Sequence, residues 1–204
     1  MERFEHRLKA VSLCLSLAAG WALLALAIWI VVNVVLRKFF SISFQGVDEY
    51  GGYCLAVVAT IGFAQAAFDR AHVRIDVVTR LLPLPLRTIF DVIALAALSF
   101  MAWTIAFRAL NVAMTSFGMG ALATSPLRTP LVVPQGVWAG ALFWFCAVLA
   151  FQMLYALVAI MRRDWLGIGE RLGVPEIDQE VEQELQAARF RMGLSANDEK
   201  DARA

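Results

Sequence analysis

The densest run of chemistry-bearing side chains in this sequence is Asp69-Arg70-Ala71-His72-Val73-Arg74-Ile75-Asp76. Continued as a helix, it sets Arg70 with Arg74 and His72 with Asp76 at i, i+4, and Asp76 again with Arg80, which is a pattern for ion pairing. A solvated stop signal beside an apolar segment accounts for the arginines. It does not require the interleaved acids or the histidine.

Three other carboxylates, Asp48, Glu49 and Asp91, fall at the ends of apolar segments, where water reaches them and a helix-cap or interface role suits them. Asn33 and Gln65 lie in or near apolar segments and are expected to hydrogen-bond between helices. Cys14, Cys54 and Cys146 stand singly inside apolar runs. Neither their number nor their spacing fits a disulfide framework or a metal site, so they are expected to be small apolar packers. With His6 and His72 the only histidines, no Ser/His/Asp set can be assembled, and no glycine-rich phosphate loop is present. Nothing argues for catalysis, a cofactor, a metal or a nucleic-acid partner.

The elements that carry these residues are uncharged runs longer than the roughly 18 residues that suggest a membrane span. Residues 10–36 form the first; at about 40 Å as a helix it exceeds a roughly 30 Å hydrocarbon core, and Arg37-Lys38 stop it. Such length predicts a retained anchor rather than a cleaved leader. The second covers 48–68, opened by Asp48 and Glu49. The third, 88–112, carries Arg87 and Asp91 in its first turns and is interrupted by Arg108. Beyond it, 109–127 is uncharged but rich in Ser, Thr and Gly, so it extends the third helix and breaks near Gly118. The fourth, 134–161, ends at Arg162-Arg163. Trp138 and Trp165 fall near predicted interfaces, where indole is favoured.

The chain has 204 residues, 60% apolar and 17% charged, with a mean hydropathy of +0.68, which excludes an ordinary water-soluble enzyme. Its formal charge of +1 conceals two unlike parts: 1–163 carries 13 Lys/Arg against 7 Asp/Glu, and 164–204 carries 5 against 10. Near the membrane, ten Lys/Arg lie in the N-terminal segment (Arg3, Arg7, Lys9), the middle loop (Arg70, Arg74, Arg80, Arg87) and the segment after the fourth span (Arg162, Arg163, Arg171). Four (Arg37, Lys38, Arg108 and Arg128) lie on the opposite side. The positive-inside rule then places both termini and the middle loop in the cytoplasm.

Two further helices are predicted. In the middle loop Val77, Val78, Leu81 and Leu82 recur at helical spacing until Pro83 and Pro85, as in a short interfacial helix. In the tail Ile177, Val181, Leu185, Ala188 and Met192 make an apolar stripe over 175–192, with acids early and Arg189 and Arg191 late. Its acidic face favours a protein partner over anionic lipid. The fold class is therefore an all-α membrane protein. A four-helix domain over 1–163 is followed by an acidic cytoplasmic tail over 164–204.

A haem-binding anchor would need axial ligands inside the bundle, and both histidines are in flanking segments. A stand-alone exporter would need an ionisable group at mid-depth, and no carboxylate lies there. A chain this apolar, without such a group, can brace a conduit but not form one.

Asp48-Glu49-Tyr50, the run Thr60-Ile61-Gly62-Phe63-Ala64-Gln65-Ala66-Ala67-Phe68 and the exit Arg70, His72-Val73-Arg74-Ile75-Asp76-Val77 together resemble the small membrane subunit of tripartite ATP-independent periplasmic (TRAP) transporters. Ser125-Pro126-Leu127-Arg128-Thr129-Pro130-Leu131-Val132-Val133-Pro134 is similar to that family's proline-containing approach to its last helix. The resemblance covers about 10–162; the long tail after Arg163 departs from it, and no role for the tail is carried over.

It implies a multi-pass inner-membrane protein that binds no substrate but is required for its uptake. A large permease moves organic acids with sodium, a periplasmic solute-binding protein delivers them, and this subunit scaffolds the permease. Glu49, Gly62, Arg70, His72, Arg74 and Asp76 match the family's positions and become candidate contacts to the permease or to membrane lipids, with Gly62, Ala64 and Ala67 allowing close approach. The alternative is an accessory or anchor subunit of another inner-membrane complex, such as a redox enzyme. The predicted topology is tested by a reporter fused after residue 204, which should read out as cytoplasmic; an external signal would refute it.

Overall fold

The computed structural model describes residues 2–42, 44–69, 83–125, 127–161 and 185. The interfacial helix expected in the middle loop, and all but Leu185 of the tail helix expected over 175–192, lie outside the described residues. Among the described residues there are four long helices: α1 (Glu2–Phe40), α2 (Val47–Phe68), α3 (Leu84–Met119) and α4 (Val132–Met161). Each is long and apolar enough to cross a membrane, and no strand occurs among the described residues.

Local chemistry sets where the helices stop. Pro83, extended at ψ 148°, caps α3, and Pro85 sits in its first turn, where a missing N–H costs nothing. At the far end Gly120 adopts the left-handed conformation (φ 59°). Its N–H bonds the Phe117 carbonyl at 3.2 Å and that of Ala121 bonds Ser116 at 2.9 Å, so the last carbonyls are satisfied. As expected, the Ser- and Thr-rich stretch extends α3 and the helix breaks close to Gly118, at Met119–Gly120. Those hydroxyls do not compete with the helix: Thr104 and Thr115 donate back to the carbonyls four residues earlier, both at 2.8 Å.

In space the helices lie in the order α1, α2, α4, α3, with α4 packed between α2 and α3. The α3 seam is a stripe of alanines, Ala102, Ala106, Ala109 and Ala113, at steps of four, three and four, all buried. Ala106 and Ala109 pack on Ala139 and Leu142 of α4. Lower down, Ala64 and Ala67 of α2 meet Phe145, Val148, Leu149 and Ala156 of α4. Small side chains let the backbones approach, which is how helices associate where lipid removes any hydrophobic advantage.

Two side-chain bonds lock α4 to α2. The Trp138 indole N–H donates to Thr60 Oγ1 at 3.1 Å, and the Gln152 amide donates to the Ala67 carbonyl at 2.8 Å. They correct the expectation for Asn33 and Gln65. Asn33 accepts from the Phe44 N–H at 2.9 Å, tying down the α1–α2 connection, and Gln65 bonds Asp69 within its own helix end. Trp138 thus ties α4 to α2.

The first helix is peripheral. It touches α2 through Trp29 stacked on Tyr50 (centroids 6.0 Å apart) and Lys9 over the Phe68 ring. Only 6% of its most apolar stretch is buried, against 28% for α4. The α3–α4 seam should therefore be the least forgiving part of the fold: Ala106→Leu should destabilise the purified protein by about 1–3 kcal/mol. The check is thermal unfolding in detergent beside Trp21→Leu on the exposed face of α1, which should change little.

Candidate functional site

Glu49, in the first turn of α2, is a polar group held by partners from two parts of the chain. Tyr53, one turn on, donates its hydroxyl to Glu49 Oε1 at 2.8 Å. Ser125, 76 residues away in the α3–α4 connection, donates to Oε2, and Thr129 adds a further side-chain hydrogen bond. An ionised carboxylate only accepts, and three hydroxyls supply the donors. The arrangement joins one end of α2 to the turn between α3 and α4. It leaves Glu49 engaged as a structural acceptor rather than poised as a base.

That turn is shaped to reach it. Leu122 and Pro130 form an isolated antiparallel bridge. The Ala123 N–H bonds the Thr129 carbonyl at 2.9 Å, and that of Leu131 bonds Ala121 at 3.0 Å, folding 121–131 into a small hairpin. Gly46, at φ 86°, precedes α2, and a Cβ there would stand 2.6 Å from Leu127 Cδ1. The left-handed backbone favours glycine, and a side chain there would also push the flexible end of Leu127 aside. Trp29, Tyr50 and Tyr53 continue the same end as an aromatic column.

The other candidates are distributed differently. Arg70, His72, Arg74 and Asp76 lie outside the described residues. Gly62 is exposed on α2 with open space where a side chain would stand, so its surface is available to a neighbour. Ala64 and Ala67 are not available, because both are buried inside the chain's own core. Asp91, expected within reach of water, is only 6% exposed, near the buried Thr88.

No transport path is evident among these groups. The buried polar residues Ser12, Thr60, Thr88, Asp91 and Ser116 are spread over three helices at different levels. A groove of about 610 Å³ runs between α1, α2 and the start of α4, lined by residues such as Ala18, Ala22, Val57, Ile61 and Val137. Such a wall suits acyl chains or apolar side chains and offers nothing to an ionic solute. No cluster of three His, Cys, Asp or Glu side chains that could hold a metal occurs among the described residues.

What sequence analysis misses is the partner set of Glu49. Ser125 and Thr129 are ordinary residues, and their only signal is the proline-containing segment that surrounds them. Compared with known proteins, residues 26–163 match the family model described as "Tripartite ATP-independent periplasmic transporters, DctQ component", a match over more than half of the chain. No protein of curated description matches the chain.

The Gly46–Leu127 contact makes this end sensitive to one methyl group. Gly46→Ala should cost about 1–2 kcal/mol for the left-handed backbone alone, with a steric cost added. Pairing it with Leu127→Ala should recover the steric part only. Unfolding midpoints of the single and double variants measure both; a fully stable Gly46→Ala would show that the turn is not held in this way.

Proposed function

The chain belongs to the DctQ family of tripartite ATP-independent periplasmic transporter components, and from that premise we propose that it is the non-transporting scaffold subunit of a sodium-coupled, binding-protein-dependent importer of organic acids. Membership makes it a component of a membrane transporter rather than a member of an enzyme family. A large permease and a periplasmic binding protein are the partners that the family implies.

The observation that carries the scaffold role is the arrangement of polar groups. A solute pathway needs polar groups converging at mid-depth or helices broken there. Here α1 to α4 are unbroken, Glu49 is used to hold α2 to the α3–α4 turn, and Arg108 of α3 stands on an exposed face, away from the packed interior. The outward surfaces are apolar, with Leu17, Trp21 and Ile28 on α1 and Ile93, Phe100 and Phe117 on α3 exposed. These surfaces belong against lipid or against another membrane protein.

In the bacterial inner membrane, with both termini cytoplasmic, the Glu49 end would face the periplasm. The Arg70–Asp76 segment would lie at the cytoplasmic surface, fixing register against the permease or lipid headgroups. The row of helices would then serve as a fixed frame and extra membrane footprint beside a mobile transport domain. The solute itself is selected elsewhere, by the binding protein and the permease.

Reconstitution tests this division of labour. Vesicles carrying this chain with its permease, supplied with the binding protein and a sodium gradient, should take up solute. Omitting the chain should abolish uptake, and the chain alone should give none. Solute flux through vesicles containing only this subunit would overturn the scaffold role.

A further inference from the structure

Arg108 occupies a position that none of the preceding roles explains. It lies on α3 between Ala106 and Ala109, which pack on Ala139 and Leu142 of α4 beside Trp138. Trp138 in turn bonds Thr60, eleven residues along α2 from Glu49. Counting along α3 gives a similar depth: Arg108 is eleven residues from Met119, or about 16 Å at 1.5 Å per residue. Met119 leads directly into the turn that Glu49 holds.

Both counts put Arg108 near the middle of a roughly 30 Å hydrocarbon core. Neighbouring α4 carries no Asp, Glu, Lys or Arg at all, and α2 carries none from Tyr50 to Phe68. This corrects the placement of Arg108 as a flanking residue of the third span. Were it the boundary, exposed Val112, Met114, Phe117, Val133 and Val137 would all stand in water.

Arg108 also belongs to a pattern. Thr104, Arg108, Asn111 and Thr115 recur at steps of four, three and four, and all four are exposed. Helical geometry sets this polar line opposite the alanine stripe that packs on α4. Around it the surface is of lipid type, with Met114 63% and Phe117 70% exposed. Among the described residues, no hydrogen bond or ion pair engages the Arg108 guanidinium. Snorkelling serves basic residues near helix ends, and Arg108 is far from both.

A charge at that depth persists where it is paired, and an arginine fork matches a carboxylate. We propose that the Thr104–Thr115 face of α3 is the seam on which a transmembrane helix of the large permease seats, and that this helix presents an ionised Asp or Glu to Arg108, with Asn111 as a second hydrogen-bonding group. The inference rests on the scaffold function and adds to it the contacting face and the chemistry of the partner.

The test is co-purification of the tagged chain with the large permease from membranes. The wild type should bring the permease down. Arg108→Leu, which is favourable at that depth and so leaves insertion intact, should lower recovery about tenfold or more, as loss of a charge-assisted contact requires. Arg108→Glu should abolish recovery, and a basic residue in place of the partner carboxylate should restore it. Cysteines at Thr104 and Asn111 should cross-link to the permease, and one at Ala106 should not. Full recovery with Arg108→Leu would overturn the seam while leaving the scaffold role standing. A wild type that brings down no permease would overturn both.

Discussion

Hydrocarbon offers no hydrogen bonds, and that absence organises the whole molecule. Backbone groups within the core have to find their partners in the protein, so the backbone is helical throughout the spans, and several side-chain hydroxyls turn back on their own helices. Thr60, Ser99, Thr104 and Thr115 all bond the carbonyl four residues earlier, at 2.7–2.8 Å. The polar links that do run between helices are few, and each has a clear geometric role.

Cohesion follows from the same constraint. Lipid is as apolar as leucine, so large apolar side chains gain little by meeting each other, and they point outward instead. The interior is made of alanines, with Phe145, Leu142 and Leu149 filling between them. Close backbone approach and dispersion hold α3, α4 and α2 together, and Trp138 and Gln152 fix their register.

Much of this was legible in the sequence, and the failures have physical causes. The uncharged runs announced four helices because length and apolarity are what a membrane demands. The third helix was legible to its end near Gly118, because Ser and Thr hydroxyls that turn back on their own carbonyls let a helix continue in hydrocarbon while glycine ends it. The carboxylate of Glu49 stood out, but its partners could not, since a contact across 76 residues leaves no trace in local spacing. Asn33 and Gln65 show the converse: a polar residue inside a span advertises a hydrogen bond without revealing its direction. Gly62 has open space beside it, whereas the nearby Ala64 and Ala67 are spent on the internal core.

The spatial order α1, α2, α4, α3 has a bearing on biosynthesis. The last of these four helices to leave the ribosome is the one that stands between α2 and α3. Until Trp138, Leu142 and Phe145 have entered the bilayer, the alanine face of α3 and the Thr60 face of α2 have nothing to close on. The nascent chain is therefore a hairpin of α1 and α2 with a solitary third helix beside it, and tertiary structure arrives in a single late event. A truncation anywhere within 132–161 would leave inserted helices without a fold, which is the form of damage that membrane quality-control proteases detect.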